Sequence, residues 1–188
     1  MRKPDDLPDI MRAFALSLLL LLSACAITVP PSAVTEKISR DHFSVSGRFT
    51  VNYQKPDGSD DSASGSFDWQ QNGERTRIAL RSPLGQTLAQ ILVDNAGQAQ
   101  LIVPDQATIT APDVETLTAQ QLGWKLPARG LRDWLLRKNE NDTPQQHTQD
   151  GWQIDYLSWN GLLPRRIKLR WLGDHPKLEL RLVLDQWE

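Results

Sequence analysis

Side chains that commonly carry out catalysis or bind metals are few and scattered in this sequence. It contains one cysteine, Cys25, and three histidines, His42, His147 and His175, which lie far apart along the chain. A single cysteine cannot form an intramolecular disulfide, and no Cys/His pattern has the spacing of zinc ligands. The sequence also lacks the G-x-S-x-G, H-E-x-x-H and phosphate-loop motifs. We therefore expect a protein that is not an enzyme and has no cofactor and no metal site.

Two groups of charged residues are the remaining candidates for polar chemistry. The acidic group falls in a polar turn and on a polar strand face, and the basic group alternates along one strand, so solvated surface explains both better than catalysis or phosphate binding. Over 188 residues, 21 basic and 23 acidic side chains give a net charge of -2. This balance excludes a broad nucleic-acid surface, and the length indicates one domain. The two groups are Asp60, Asp61 and Asp68, and Arg75, Arg77 and Arg81.

Cys25 ends an apolar segment near the start of the chain. Residues 13–22 are too few to cross a bilayer, which needs about 20 residues, but they fit the hydrophobic region of a signal peptide after Arg12. The end of the segment, Leu22-Ser23-Ala24-Cys25, resembles the lipobox of bacterial lipoproteins, in which the cysteine is acylated and the preceding peptide is removed. An ordinary secretory peptide with an incidental cysteine is the alternative.

The lipobox resemblance divides the chain into three parts. It implies a signal peptide over residues 1–24, with Met11 as a second candidate start, and lipidation of Cys25. Residues 25–40, with Pro30-Pro31, then form a lipidated tether to a domain over 41–188. Ala26 follows the cysteine, and by the sorting rules of lipoproteins a residue other than Asp there implies the outer membrane.

Apolar residues alternate with polar ones through most of the domain, which predicts β-strands. Two short helices are predicted at residues 113–122 and 131–138, followed by a polar loop over 139–150. The order of six strands, two helices and three strands indicates an α+β class that is mostly β, with an antiparallel sheet and helices packed on one side. The predicted strands cover residues 43–53, 63–70, 75–81, 87–94, 101–103, 107–110, 152–156, 167–171 and 178–184.

The inward face of this sheet is rich in aromatic residues, and its interior has two interpretations. A curled antiparallel sheet can be filled by its own side chains or can enclose a ligand cavity. Gly47 and Gly65 fall at inward positions, where they leave room or permit a bend. Periodicity alone leaves both interpretations open. The inward aromatic residues are Phe49, Phe67, Trp69, Trp152, Tyr156 and Trp171.

A break between two strands, Ser82-Pro83-Leu84-Gly85, has the composition of a tight turn. Leu84 is its only large side chain, so we expect Leu84 to point outward. An exposed leucine is usually unremarkable. On a protein tethered to a membrane, it could also enter lipid.

Four stretches together with the lipobox resemble the LolB family of outer-membrane lipoproteins, which take lipoproteins from the periplasmic carrier LolA. The stretches are residues 67–73, 82–85, 131–136 and 184–187. The resemblance implies an unclosed, curved antiparallel half-barrel with a helical lid over a hydrophobic cavity. It also implies a monomer at the periplasmic face of the outer membrane that docks a LolA-type carrier, accepts acyl chains and inserts lipoproteins into the inner leaflet.

The resemblance further implies which residues act. Leu84, on the Pro83-Leu84-Gly85 turn, would help to insert cargo into the membrane. A structural or assembly lipoprotein with a filled β core that binds a protein partner remains the alternative, and a lipid esterase would need a nucleophile and a base that the sequence does not offer. The implied cavity residues are Phe49, Phe67, Trp69, Ile78, Leu80, Trp134, Leu135, Trp152 and Tyr156.

Overall fold

A computed structural model describes residues 38–55, 57–137, 145–174 and 176–188. Within them, ten strands form one antiparallel sheet in the order β6-β5-β4-β3-β2-β1-β10-β9-β8-β7. Strands that follow one another in sequence are neighbours in the sheet, except for β6 and β7, which lie at its two edges, and the first and last strands pair at its centre. Edges remain at β6 and β7, so the sheet is unclosed, as expected. The strands are β1 (His42–Gln54), β2 (Asp60–Asn72), β3 (Arg75–Arg81), β4 (Thr87–Val93), β5 (Ala99–Ile102), β6 (Ile109–Ala111), β7 (Gln145–Gln149), β8 (Trp152–Asn160), β9 (Leu163–Trp171) and β10 (Leu178–Trp187).

The core lies on one face of the sheet, as the alternation predicts. Leu178, Leu180, Leu182 and Leu184 of β10 are all buried, while the residues between them are more exposed. Side chains on alternate positions of a strand share a face, so this pattern turns one face of the central strand pair toward the core. Cys25 and the proposed signal peptide lie outside the described residues, as does His175.

Two helices connect β6 to β7. The first, α1 (Val114–Leu122), begins after Asp113, whose carboxylate accepts a hydrogen bond of 2.6 Å from the backbone N–H of Thr116. It ends at Gly123, which adopts the left-handed conformation at φ 77° that favours glycine. These caps fix α1 close to its predicted bounds.

The second helix, α2 (Ala128–Leu135), starts and ends three residues earlier than the prediction of 131–138. Pro127 precedes its first turn, where a missing N–H costs nothing, so the helix begins before its first apolar residue, Leu131. The indole of Trp134 lies over Gly130 in this helix, in the space that a Cβ at that position would need. The predicted basic C-terminus at Arg137 lies beyond the helix.

Strand β7 falls within the predicted polar loop of residues 139–150, so that prediction was wrong for residues 145–149. The strand Gln-Gln-His-Thr-Gln has no apolar alternation because it is an edge strand that pairs only with β8. Its backbone hydrogen bonds, which depend on no side-chain pattern, place it there. Among the described residues, no helix combines the length and the apolar character needed to cross a membrane.

Candidate functional site

An apolar cavity of about 250 Å³ lies between the sheet and the two helices. None of the residues that line it is charged. Strands β1, β2, β3, β4 and β10 form its walls, and the helical segment from Thr118 to Leu135 covers it. The lining residues are Phe49, Val51, Tyr53, Ala63, Phe67, Trp69, Ile78, Leu80, Leu88, Ile91, Thr118, Leu122, Trp124, Leu126, Leu131, Leu135, Leu180 and Leu182.

One row of buried side chains in the wall crosses three strands. Trp69 pairs with Ile78, and Ile78 pairs with Ile91, so the three side chains lie side by side on one face. All three are at most 5% exposed. Cross-strand neighbours of this kind place apolar side chains in direct contact, which gives the cavity a continuous hydrocarbon base.

Gln71, which does not line the cavity, accepts the hydrogen bond of the Trp69 indole N–H. The Trp69 indole N–H donates a hydrogen bond to Gln71 Oε1 at 3.2 Å, and the Thr76 hydroxyl donates to the same oxygen at 2.8 Å. The Gln71 amide in turn donates to the carbonyl of Gly73 at 2.7 Å. A buried N–H without a partner would be costly, so this network lets Trp69 present only its apolar ring to the cavity.

Thr118 joins α1 to the segment that follows it. Its buried hydroxyl donates to the carbonyl of Val114 at 2.9 Å and accepts the backbone N–H of Leu126 at 2.8 Å. This tie folds the chain after Gly123 back over the sheet. Trp124 and Leu126 thereby cover the cavity together with the residues of α2.

The structure brings six of the nine expected cavity residues together on this cavity. They share the inward face of β1, β2 and β3 or, for Leu135, the inner side of α2. The six are Phe49, Phe67, Trp69, Ile78, Leu80 and Leu135.

Trp134 and Trp152 line a different space, a neighbouring groove of about 630 Å³ that also contains Trp171. Leu131 and Leu135 of α2 line the cavity, whereas the ring of Trp134, beside them on the helix, lies against Gly130 and lines the groove. Its indole N–H donates to Gln149 Oε1 of β7 at 3.0 Å.

Tyr156 is fully buried and lines neither space. Its hydroxyl donates to the backbone carbonyl of Trp134 at 3.1 Å, and its ring stacks on Trp159 with centroids 5.1 Å apart. Burial raises the pKa of Tyr156 to about 12, against the opposing charge of Arg137. Tyr156 therefore anchors α2 to β8 as a neutral phenol.

The predicted lining left out inward strand residues that alternation does locate, among them Val51, Ala63 and Leu180. It also left out lining residues that strand alternation cannot locate. Leu88 has no partner in the register of β3 and β4, and Trp124 follows the end of a helix. For Leu131, the available signal was its spacing of four residues from Leu135, which places both side chains on one side of α2. Leu122, Trp124 and Leu126 are placed by the cap at Gly123 and by Thr118.

The turn between β3 and β4 holds Leu84 in solvent. The Gly85 N–H donates to the Ser82 carbonyl at 2.9 Å, and the Ser82 N–H donates to the Gln86 carbonyl at 2.8 Å. Gly85 has φ 85°, a conformation that glycine adopts without strain. Leu84 is 90% exposed, the highest value among the exposed large hydrophobic side chains of the described residues.

The charged residues considered from sequence form ordinary surface pairs. Arg81 pairs with Asp68 across β3 and β2, and Arg77 donates to Gln90 at 3.3 Å. Asp61 accepts from Lys55 at 2.8 Å, which lowers the pKa of Asp61. Of the described residues in the two groups, only Arg81 and Asp68 pair with each other, and none of these charged residues lines the cavity, although Asp61 also accepts a hydrogen bond of 3.2 Å from the lining residue Tyr53.

Known proteins resemble this chain over most of its length. Residues 41–187 match the family model described as "Outer membrane lipoprotein LolB". A protein of that name from Cupriavidus necator is 37% identical, with 92% of this chain and 93% of the relative covered. Its counterpart from Cupriavidus metallidurans is 35% identical, with 88% and 90% covered.

Among solved structures, a LolA superfamily protein from Nitrosomonas europaea is similar with a TM-score of 0.45 and 9% identity, over 82% of this chain and 89% of that one. The match over residues 41–187 includes all ten strands and both helices that cover the cavity. The chain belongs to the LolB family of outer-membrane lipoproteins.

Proposed function

We propose that this chain is a lipid-anchored protein at the periplasmic face of the outer membrane. It receives lipoproteins from a LolA-type carrier into its apolar cavity and inserts them into the inner leaflet. The cavity of about 250 Å³ is the observation that carries this proposal. The role is binding and transfer rather than catalysis.

The composition of the cavity supports acyl chains as its ligand. Its only hydroxyl-bearing lining residues are Thr118 and Tyr53, and both hydroxyls have partners, Leu126 and Asp61 respectively. A polar ligand would leave its own hydrogen bonds unmade, whereas hydrocarbon gains about 25 cal/mol for each Å² removed from water. The cavity also disfavours the alternative of an assembly lipoprotein with a filled core.

Cys25 is the proposed lipidation site and lies outside the described residues. The end of the proposed tether reaches the domain at Ile38, which packs against the core, and at Arg40, whose guanidinium pairs with Asp133 of α2 at 2.5 Å. A single acyl chain anchors a protein only marginally, whereas two or more hold it stably. Mass spectrometry of the mature protein should find acyl groups on an N-terminal Cys25, and an unacylated, uncleaved terminus would contradict this part of the proposal.

Leu84 is the proposed residue for delivery to the membrane. It stands outside the alternating strands and outside the cavity lining, so neither the fold nor the bound acyl chain requires it. The delivery step is separate from the transfer of acyl chains between the two proteins. That transfer needs only a modestly higher affinity for acyl chains in the receptor than in the carrier, since about 1.4 kcal/mol shifts an equilibrium tenfold.

Photocrosslinking tests the proposed site directly. A lipoprotein with a photoreactive acyl chain is loaded on a LolA-type carrier and mixed with the complete chain in phospholipid vesicles. Mass spectrometry should then find adducts on peptides that contain Trp69, Ile78 or Leu131, and none at Arg77 on the outer face of β3. Adducts confined to the outer face, or no uptake of cargo, would refute the proposed function.

A further inference from the structure

The cavity opens at the end of the sheet that carries the Leu84 turn. Ala63, Leu88 and Leu122 are the exposed members of its lining, and the other lining residues are buried or half-buried. Ser66 of β2 pairs with Arg81, the last residue of β3, so Ala63 lies level with the turn that follows. Leu88 lies just beyond the same turn, on β4. The opening is therefore beside the turn.

A β-bulge brings Leu88 to this opening. Leu80 pairs with Ala89 while Arg81 pairs with Thr87, which leaves Leu88 without a partner across the strands. Strict alternation would put residue 88 on the face opposite Ala89 and Ile91. Bulges redirect side chains in this way, and here Leu88 lines the cavity together with Ile91.

Leu122 lies on the helical side of the opening. It is the last residue of α1, and the left-handed Gly123 turns the chain away immediately after it. Leu88 is 45% exposed and Leu122 is 49% exposed, so neither contributes as a buried core residue would. Both are nevertheless part of the cavity lining.

We propose that Leu88 and Leu122, here called the mouth rim, form the apolar surface at the cavity opening that acyl chains contact both on entering the cavity and on leaving it. This inference rests on the proposed function. Hydrocarbon that moves between the cavity and another apolar phase loses stabilisation wherever it meets water. The mouth rim covers that passage from the sheet side and from the helix side, next to the turn that holds Leu84.

The mouth rim and Leu84 therefore have separable roles. Leu84 lies outside the cavity lining and acts on delivery alone, whereas the mouth rim acts on uptake and on delivery alike. Leu88 and Leu122 are positioning residues of the passage. Replacing either residue with a polar one should slow both uptake and delivery, while the buried lining of the cavity stays intact.

The test measures the two steps with Leu88→Gln and Leu122→Gln in the complete chain, reconstituted in vesicles of phosphatidylethanolamine and phosphatidylglycerol. A carrier loaded with a triacylated lipoprotein supplies the cargo. Uptake is followed by crosslinking of cargo to the chain, and delivery by cargo that remains in the vesicles after the carrier is removed but no longer crosslinks to the chain. Leu157→Gln is the matched control, since Leu157 is 49% exposed and does not line the cavity.

Each mouth-rim variant should lower the initial rates of uptake and delivery about tenfold, equivalent to about 1.4 kcal/mol. Leu157→Gln should retain wild-type rates, and the conservative Leu88→Met should recover most of the rate that Leu88→Gln loses. If Leu88→Gln melts below the control, Leu122→Gln decides the question. Wild-type uptake in both mouth-rim variants would overturn this inference and leave the proposed function intact, whereas a wild-type chain that takes up no cargo would overturn both.

Discussion

The ring of Phe67 lies over Gly47, the residue that it faces across β2 and β1. A reciprocal pair follows two residues along, where the ring of Phe49 lies over Gly65. The two glycines do not leave empty space above the sheet, because the two phenyl rings occupy it. They instead allow close approach of neighbouring backbone, since a Cβ at Gly47 would overlap the carbonyl oxygen of Val183 on β10.

Gly47→Ala should therefore destabilise the protein. The added methyl group meets backbone rather than a flexible side chain, and the register of β1 and β10 already shifts at Ser46 and Gly47. Overpacking typically costs about 1–3 kcal/mol, and urea unfolding should show a loss in that range. Ser46→Ala, at the next position and outside the core, should change the midpoint little. Equal stability of Gly47→Ala and wild type would show that the strands can separate at no cost.

Asp155 should make stability depend on pH. Burial opposes its ionisation, but the amides of Gln146 and Gln153 and the ammonium of Lys168, which donate to it at 2.8, 2.9 and 3.0 Å, lower the pKa of Asp155 below its ordinary value. A carboxylate with a lowered pKa stabilises the fold fully above its ordinary pKa, and this stabilisation is lost as the pH falls through the lowered value.

Asp155→Asn removes this dependence and leaves Lys168 without its carboxylate partner. We expect a loss of about 1–3 kcal/mol at about pH 7, with the difference from wild type shrinking toward about pH 3. Urea midpoints measured across that range check the prediction, with Asp150→Asn as a control on an exposed turn. A difference that stays constant with pH would contradict the assignment to the Asp155 charge.

Trp69 and Trp152 should differ in their effect on cargo. Trp69 forms part of the cavity base, whereas Trp152 lines the neighbouring groove and packs on Trp171 with ring centroids 5.5 Å apart. Both are at most 5% exposed, so leucine at either position should destabilise the fold by a similar amount. Trp69→Leu should also weaken retention of acylated cargo in crosslinking assays, and Trp152→Leu should not. Equal retention of cargo by the two variants would show that Trp69 does not contribute to acyl-chain binding.

The sequence predicts the sheet better than it predicts the cover of the cavity. Alternation in β1, β2, β3 and β10 depends on side chains that face one core, so their faces and bounds are readable from residue types alone. Residues 145–149 were missed because an edge strand can be held by backbone hydrogen bonds without apolar side chains. Trp134 has the correct residue type for a cavity, but the rotation of α2 follows from contacts with β7 and β8, which are distant in sequence.

Leu88 shows the same limit within a strand. An alternating pattern assigns each residue a face only while the register is regular, and the bulge beside Arg81 breaks it. The bulge depends on how two strands meet next to the turn, and no local residue preference specifies it. The residues at the opening were for this reason the least predictable part of the site.

Leu84→Glu should separate delivery to the membrane from folding and from uptake. Leu84 is 90% exposed and contributes almost nothing to stability, so the variant should melt at the wild-type temperature. A leucine that enters lipid gains about 1.5–3 kcal/mol, and a carboxylate at the same place must instead be desolvated. Cargo should therefore pass from the carrier to the chain at the wild-type rate and then remain bound rather than enter the vesicles.

Leu162→Glu supplies the matched control, because Leu162 lies in the turn between β8 and β9 and is 41% exposed. It carries the same change of charge on another turn, so it tests whether negative charge alone repels the chain from the membrane. Delivery should continue with this control and fail with Leu84→Glu. Insertion of cargo by Leu84→Glu at the wild-type rate, or unfolding of that variant, would exclude the membrane role of the turn.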